Sequence, residues 1–542
     1  MKMNKKNLNG IWQFGFDQEN KLTENLPSVK YTSALSVPGC FDVAQPFFGE
    51  RGTGYYKTIV RTGGNVRLSI DGVGVEAKIF WDGRLVGTMP YAYMPEKFCF
   101  NAGENGEHEL VIAVSNRFNK VFFPYYDFYA YGGIFGNVSI EELPSCWLDL
   151  VRVTTLDYKK GRISVELTSN KFMRKERDLS FEIDGKEVFS SKFSGKINTF
   201  ELNVPDFKLW SPDEPNLHRL HIKFADYEED VTFGIRTLES KGTQLYLNGK
   251  LLRLMGYNRH DSHPEVGAAM PGALIAADLA MIKNQGGNFI RGSHYPQRAE
   301  MLDLCDKMGL LVWEETIGWD VRDKELFTKE FRAQQIAQAK KLANIHYNHP
   351  SIIIWGFMNE TLSESPRAKK IIKSVYDAYK SVDKTRWVTF ASNRYEKDIC
   401  MDIVDIVAMN PYPGWYDMSW DTLSGIKNIA PHLEKLNNAV PKDKPYMISE
   451  IGASAIYGHR DPHRVRWSEE YQAELCAEVC KVVLGNERYC GLSFWHFCDA
   501  KSHLNGYRVQ GINDKGLLDQ YRRPKLAWNA VTESLKELNF KK

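Results

Sequence analysis

The sequence predicts a multidomain fold: an N-terminal β jelly-roll sandwich, an immunoglobulin-like β-sandwich and a C-terminal (β/α)8 TIM barrel. Three observations predict it. From Leu8 to Pro144 the chain runs in short strands broken by Gly, Pro and Asn, without clear helical periodicity. After Lys241 strand-like runs alternate with amphipathic helices. Eight such runs fall within about 300 residues, the count of a (β/α)8 barrel.

Residues 1–144 make the jelly roll. Val66–Gly87 and His108–Phe118 alternate as strands do. Ala77–Phe80 followed by Trp81-Asp82-Gly83 predicts a hairpin with a tight Asp-Gly turn. Residues 145–239 make the second sandwich, with about seven strands at regular spacing. No Cys…Trp…Cys arrangement pins it. Residues 240–542 make the barrel, with strands LLRLMGYN, NFIRGSHYP, LLVWEET, SIIIWGFMNE, WVTFAS, VDIVAMNPY, PYMISEIGA and CGLSFWHF. Helices lie between most of them, including one near Leu423–Leu436 and one near Glu469–Leu484. In the fourth strand, Ile352, Ile353, Ile354 and Trp355 suit burial on both faces of a parallel sheet.

Composition narrows the function. With 70 Lys+Arg against 68 Asp+Glu the net charge is +2, which argues against a nucleic-acid surface. No run of about 18 apolar residues occurs, so no membrane span is expected. The start, MKMNKKNLNGIWQF, holds no apolar stretch long enough for a leader. The nine cysteines are scattered without a CxxC pair, as reduced thiols in a cytoplasmic enzyme would be. Aromatic residues at 13% suit stacking on sugar C–H faces, and suit a large multi-sheet core equally well.

A barrel places its chemistry at the C-terminal ends of its strands. Polar residues gather there: Asn258, Arg259, His260 and Asp261 on the first, Arg291, Ser293 and His294 on the second, and Glu314 and Glu315 on the third. Asn359 and Glu360 end the fourth, Asn410 and Tyr412 the sixth, Glu450 the seventh, Trp495 and His496 the eighth. Such a ring loses solvation without return unless it binds something. Glu360 and Glu450 stand three strand–helix units apart, across the mouth. Two facing carboxylates suit glycoside hydrolysis, one protonated to donate to the leaving oxygen and one ionised to attack the anomeric carbon. Asn359 suits the sugar 2-hydroxyl, Tyr412 suits steering the nucleophile, and His294 suits a sugar hydroxyl. His260-Asp261-Ser262-His263 raises a metal site, which the sugar reading displaces. Trp81, Trp210 and Trp313 read as core, and Lys340-Lys341 as a solvated helix face.

These segments also resemble glycoside hydrolase family 2 over essentially the full length. GYNRHDSHPEVG (Gly256–Gly267), NFIRGSHYP, NHPSIIIWGFMNE (Asn348–Glu360) and PYMISEIGA look like its signature segments, in their usual order. The resemblance implies a retaining mechanism, with Glu360 as acid/base and Glu450 as nucleophile about 5–5.5 Å away. It implies no cofactor and no metal, and a small-molecule or oligosaccharide β-glycoside as substrate. Its members' habits set a homo-oligomer, dimer or tetramer, as the expected assembly.

Asn513-Asp514-Lys515 resembles the Asn-x-Lys pair by which the family's β-glucuronidases hold the uronate carboxylate. A lysine and an amide also suit an anion on physical grounds. Tyr507-Arg508-Val509 resembles the segment carrying an arginine to that pocket. Asn410-Pro411-Tyr412-Pro413-Gly414-Trp415-Tyr416 resembles the segment that brings Tyr412 to the nucleophile and Tyr416 to substrate. Asp127 looks like the jelly-roll aspartate that reaches the site, and Trp495 joins the substrate contacts. A retaining exo-β-D-glucuronidase is therefore expected, with β-galacturonidase or β-galactosidase as alternatives, and a non-catalytic carbohydrate-binding protein as a distant one. The chain departs from the pattern in three places. Gly136 follows Phe135 where an arginine is usual. The Trp319–Glu330 loop is short, which favours larger aglycones or oligosaccharide ends over small drug-like conjugates. Gly292, Pro411 and Pro413 differ from familiar relatives and leave room for an axial 4-hydroxyl.

Overall fold

Alternation of buried and exposed residues builds the first sandwich. The structure, a computed structural model, describes residues 5–19, 25–416, 422–503 and 508–540; Tyr507 lies outside them. A six-stranded antiparallel sheet runs in the order Ser33–Val37, Gly10–Asp17, Thr53–Thr62, Gly106–Ser115, Glu76–Trp81, Arg84–Met89. A four-stranded sheet holds Lys6–Asn7, Val138–Glu142, Asn65–Ile70 and Glu96–Asn101. Trp12, Phe14, Leu68, Ile79, Ile112 and Ile140 share one core. The expected hairpin closes at Trp81 and Arg84. Asp82 and Gly83 between them both have positive φ (48° and 74°), the geometry a two-residue turn needs.

The second sandwich has five strands where about seven are expected, and the reason is local. Arg162–Ile183 and Lys186–Asn203 are long, with register shifts around Met173. The first half of Arg162–Ile183 pairs with Leu148–Asp157, the second with His218–Phe224. Cut at the bulges, the five strands yield seven segments. The break is invisible in sequence because the exposed linking residues continue the extended chain rather than turn it.

The barrel closes through a broken strand. Its parallel strands are Leu254–Arg259, Phe289–Gly292, Leu311–Glu315, Ile352–Gly356, Trp387–Thr389 with Ala391–Ser392, Val407–Met409, Tyr446–Ile448 and Gly491–Phe494. Phe390 divides the fifth strand: its first piece pairs with the fourth strand, its second with the sixth. A meander over residues 238–252 packs Leu245, Leu247 and Leu252 with Leu254, Phe289 and Leu311 at the strands' starts. Helix Pro366–Val382 shows how the outer ring is written: Ser365 caps it by accepting from the Ala368 N–H, and proline opens it. Among the described residues no helix is long and apolar enough to cross a membrane.

Both sandwiches lean on the barrel. Asn348 accepts from the Val153 N–H and donates to the Val151 carbonyl (2.9 and 2.8 Å), extending the second sandwich's edge. Arg236 donates to the Pro350 and Ile352 carbonyls at the start of the fourth strand. From the first sandwich, Tyr93 stacks on Tyr295 (3.8 Å) and Phe128 on His260 (5.5 Å), bringing the chain around Asp127 over the barrel mouth. Lys341, expected in solvent, instead pairs with Glu96 of that sandwich.

Gly136 sits at this junction. A Cβ there would meet Asp71 Cβ at 2.6 Å and Arg298 Cδ at 3.4 Å. Arg298, arriving from the barrel, donates to the Phe135 and Met270 carbonyls (2.8 and 2.7 Å). The arginine usual at this position would find its space taken. Gly136→Ala is expected to cost about 1–3 kcal/mol by overpacking, read as a lower thermal midpoint; an unchanged midpoint would mean that Asp71 and Arg298 give way freely.

Candidate active site

Arg291, at the end of the second strand and fully buried, holds the floor of the mouth together. Its Nε donates to Glu315 (2.7 Å). Nη1 donates to Glu450 Oε1 (2.6 Å) and Asn258 Oδ1 (3.0 Å), and Nη2 to Asn359 Oδ1 (2.8 Å). The guanidinium lies over the Trp313 ring (4.7 Å), so this core tryptophan is also the arginine's seat. Burial disfavours the charge, but Glu315 and Glu450 outweigh that and hold the guanidinium protonated.

Glu450, expected as nucleophile, is buried and doubly held. Arg291 donates to one oxygen, and the Tyr412 hydroxyl donates to the other (2.9 Å). Burial, then the charge of Glu450, raises the Tyr412 phenol well above its usual range, so it keeps the proton that it donates.

Glu360 lives differently. It accepts from Asn410 Nδ2 (2.9 Å), and no cation donates to its carboxyl among the described residues. Burial, then the charge of Glu450, pushes that carboxyl up to about 8. The backbone that presents it is strained: Met358 and Glu360 have φ of 43° and 56°. Hydrogen bonds to neighbouring strand ends hold it, from the Asn359 N–H to the Gly318 carbonyl (3.0 Å) and from the Glu360 N–H to the Ala391 carbonyl (2.8 Å).

Asn359 Oδ1 is taken by Arg291 and Asn410, while its buried Nδ2 has no hydrogen-bond partner. His294 Nδ1 lies 3.0 Å from Glu315, its Nε2 has no hydrogen-bond partner and lies 3.8 Å from Glu450 Oε1, and its ring stacks on Trp495 (5.1 Å). Asp127, His294, Tyr416, Trp495 and Arg508 line one cavity with Glu360, Tyr412 and Glu450; its empty volume is about 600 Å³. Tyr416 stands at the rim, 58% exposed.

The expected carboxylate clamp is built otherwise than the motif suggests. Arg508 is not free for an anion, since it forms an ion pair with Asp127. Asn513 Nδ2 also donates to Asp127 (3.0 Å), as does Ser502 (2.6 Å). Lys515 is the open cation: its Nζ is buried, has no hydrogen-bond partner, and sits 5.3 and 5.0 Å from the ring centres of Trp415 and Tyr416. Burial, reinforced by the charge of Arg508, pulls its ammonium down to about 7. In the segment first considered for metal, Asp261 is bonded to Arg259 (2.6 Å).

All the expected residues except Asn359, Asn513 and Lys515 line the cavity, and those three bond to or stack on residues that do. Missing from the expected set are Arg291, Glu315 and Asn410, noted only as strand ends, and Ser449 and Ser502. Ser449 donates to Asn410 Oδ1 (2.7 Å) and so fixes which way that amide faces Glu360. Its position beside Glu450 was the one available signal.

Comparison with known proteins agrees with this architecture. Residues 238–540 match the family described as Glycosyl hydrolases family 2, TIM barrel domain, and residues 149–236 match Glycosyl hydrolases family 2. The chain is 31% identical to beta-glucuronidase from Rattus norvegicus over 74% of its own length and 63% of that protein's. It is 26% identical to beta-glucuronidase from Streptococcus agalactiae over 96% of this chain and 94% of that one. It thus spans about three fifths of the rat relative and nearly all of the streptococcal one. The structure of the GH2 beta-galacturonidase from Eisenbergiella tayi bound to galacturonate is 31% identical, with a TM-score of 0.90 over 99% of this chain and 97% of that one.

Glu360 makes a test independent of turnover. Its folded-state value, about 8, lies above its ordinary 4.5, so the native state holds the extra proton. The stability this contributes is whole below the ordinary value and lost as pH rises through the folded one. Glu360→Gln removes the group, so its melting temperature relative to the parent is expected to climb from about pH 5 to about pH 8. A constant difference would count against a neutral Glu360.

Proposed function

The chain belongs to glycoside hydrolase family 2, and from that premise we propose that it is a retaining exo-β-glycosidase acting on β-linked uronic acids. The observation carrying this reading is the contrast between two acids in one cavity. Glu360 holds a proton near neutrality without a cation on its carboxyl, whereas Glu450 presents a carboxylate to Arg291 and Tyr412.

Glu450 attacks the anomeric carbon as Glu360 gives its proton to the glycosidic oxygen, and the leaving group departs as an alcohol. The sugar is then esterified to Glu450. Glu360, now ionised, takes a proton from water, the water displaces Glu450, and the free uronic acid leaves with the β configuration retained. In this reading Asn359 Nδ2 donates to the 2-hydroxyl and His294 Nε2 bonds another hydroxyl, which the lack of a protein hydrogen-bond partner at either atom supports. The uronate carboxylate goes to Lys515, whose buried Nζ has no hydrogen-bond partner in the protein.

Glucuronide is the first reading, supported by the names of the rat and streptococcal relatives. Galacturonide is the second, favoured by the full-length likeness to the Eisenbergiella tayi enzyme bound to galacturonate. The sugars differ at the 4-hydroxyl, so a panel of aryl β-D-glucuronide, galacturonide, glucoside and galactoside separates them. With Lys515→Ala the preference for uronides over neutral glycosides is expected to fall by about 10²-fold or more, as when a buried ligand charge loses its partner. An unchanged ratio would rule out Lys515 as the carboxylate's holder.

A further inference from the structure

The cavity has a second end that the uronide reading does not use. The clamp around Lys515 rises from the loops after the sixth and eighth strands. Across the mouth, loops after the third and fifth strands bring Trp319, Asn393 and Tyr395 into the same cavity as Glu360. These residues are tied to the backbone that carries the acid. Trp319 bridges to Asn359. The Tyr395 hydroxyl donates to the Asn410 carbonyl (3.3 Å), and Arg394 Nη2 donates to the Glu360 carbonyl (3.2 Å). A group leaving with the proton of Glu360 departs past this end.

What that group is follows from which atoms are satisfied. Asn393 Oδ1 is buried and has no partner. Whichever way the amide is turned, one polar atom there needs a hydrogen bond, and an apolar group would leave it unmet. A hydroxyl serves in either orientation, since it donates and accepts. Among the described residues lining the cavity, none is aliphatic; this end is indole, phenol and amide. Such a surface suits a ring with a C–H face and hydroxyls on its edge. Arg394, between Asn393 and Tyr395, is met by Asp320 (3.6 Å) and Glu364 (3.2 Å), and Arg508, which lines the cavity, by Asp127, so no second acid is called for.

We propose that Trp319, Asn393 and Tyr395 form the leaving-group subsite and that it takes a neutral sugar. The substrate is then a β-linked uronic acid at the non-reducing end of an oligosaccharide, rather than the conjugate of an apolar aglycone. This rests on the uronide reading above and extends it.

The test compares two substrates with the same uronic acid: an aryl β-uronide and a disaccharide in which that acid is β-linked to a neutral hexose. The wild-type enzyme is expected to show the higher kcat/KM on the disaccharide, despite its poorer leaving group. Asn393→Leu is expected to lower the disaccharide-to-aryl ratio at least about tenfold, the scale of one unmet hydrogen bond in a binding site. Trp319→Ala is expected to move the ratio the same way, mainly through KM. Aryl turnover in each variant reports that it folds. A ratio unchanged in both variants, or a wild-type enzyme that cleaves aryl uronides but not the disaccharide, overturns the subsite. Failure of the wild-type enzyme on both uronides would instead overturn the function reading on which it rests.

Discussion

The site depends on one buried cation. Arg291 has no solvent to spread its charge into, so its protein partners must compensate it, and each is part of the floor. Glu315 and Glu450 supply the charge, while Asn258 and Asn359 supply oxygen acceptors. Four strand ends are thereby fixed around a single planar group. The arrangement also sets polarity: the Asn359 oxygen faces the arginine, and its buried N–H₂ has no hydrogen-bond partner among the described residues.

The same cation separates the two acids. Glu450 is bonded to it and Glu360 is not, so burial and the nearby negative charge act on Glu360 without a cation's donation to oppose them. Two residues of one type therefore sit in two different environments, set by which strand end each occupies. The strained backbone at Met358 and Glu360 belongs to this arrangement. Asn359 turns down to the arginine while Glu360 turns out to the cavity, and adjacent residues cannot do both along a regular strand.

Much of this was legible in sequence, and what was not has physical reasons. Periodicity marks the barrel because its described strands are buried on both faces and helices such as Pro366–Val382 bury one, which leaves a pattern within each segment. The strand-end acids were legible because an acid after an apolar run is expensive unless it is used. The Asp127–Arg508 ion pair was not, since it joins residues 381 apart whose separate motifs each suggest a ligand contact. The roles of Asn410 and Ser449 leave no such mark, because an amide's role lies in which way it faces, and only its neighbours decide that. The break at Phe390 and the fused strands of the second sandwich were missed for one reason: pairing partners, not local composition, decide where a strand is divided.

In the proposed reaction Glu450 carries the sugar between the two halves. A 2-deoxy-2-fluoro-β-D-uronosyl fluoride, glucuronyl and galacturonyl in parallel, slows hydrolysis of the ester more than its formation and lets the intermediate accumulate. Intact mass followed by peptide mapping then locates it. One fluorouronosyl group per chain, on Glu450, is the expected result. An adduct on another residue, or complete turnover of the fluoride to the α-configured product with no adduct, would contradict it.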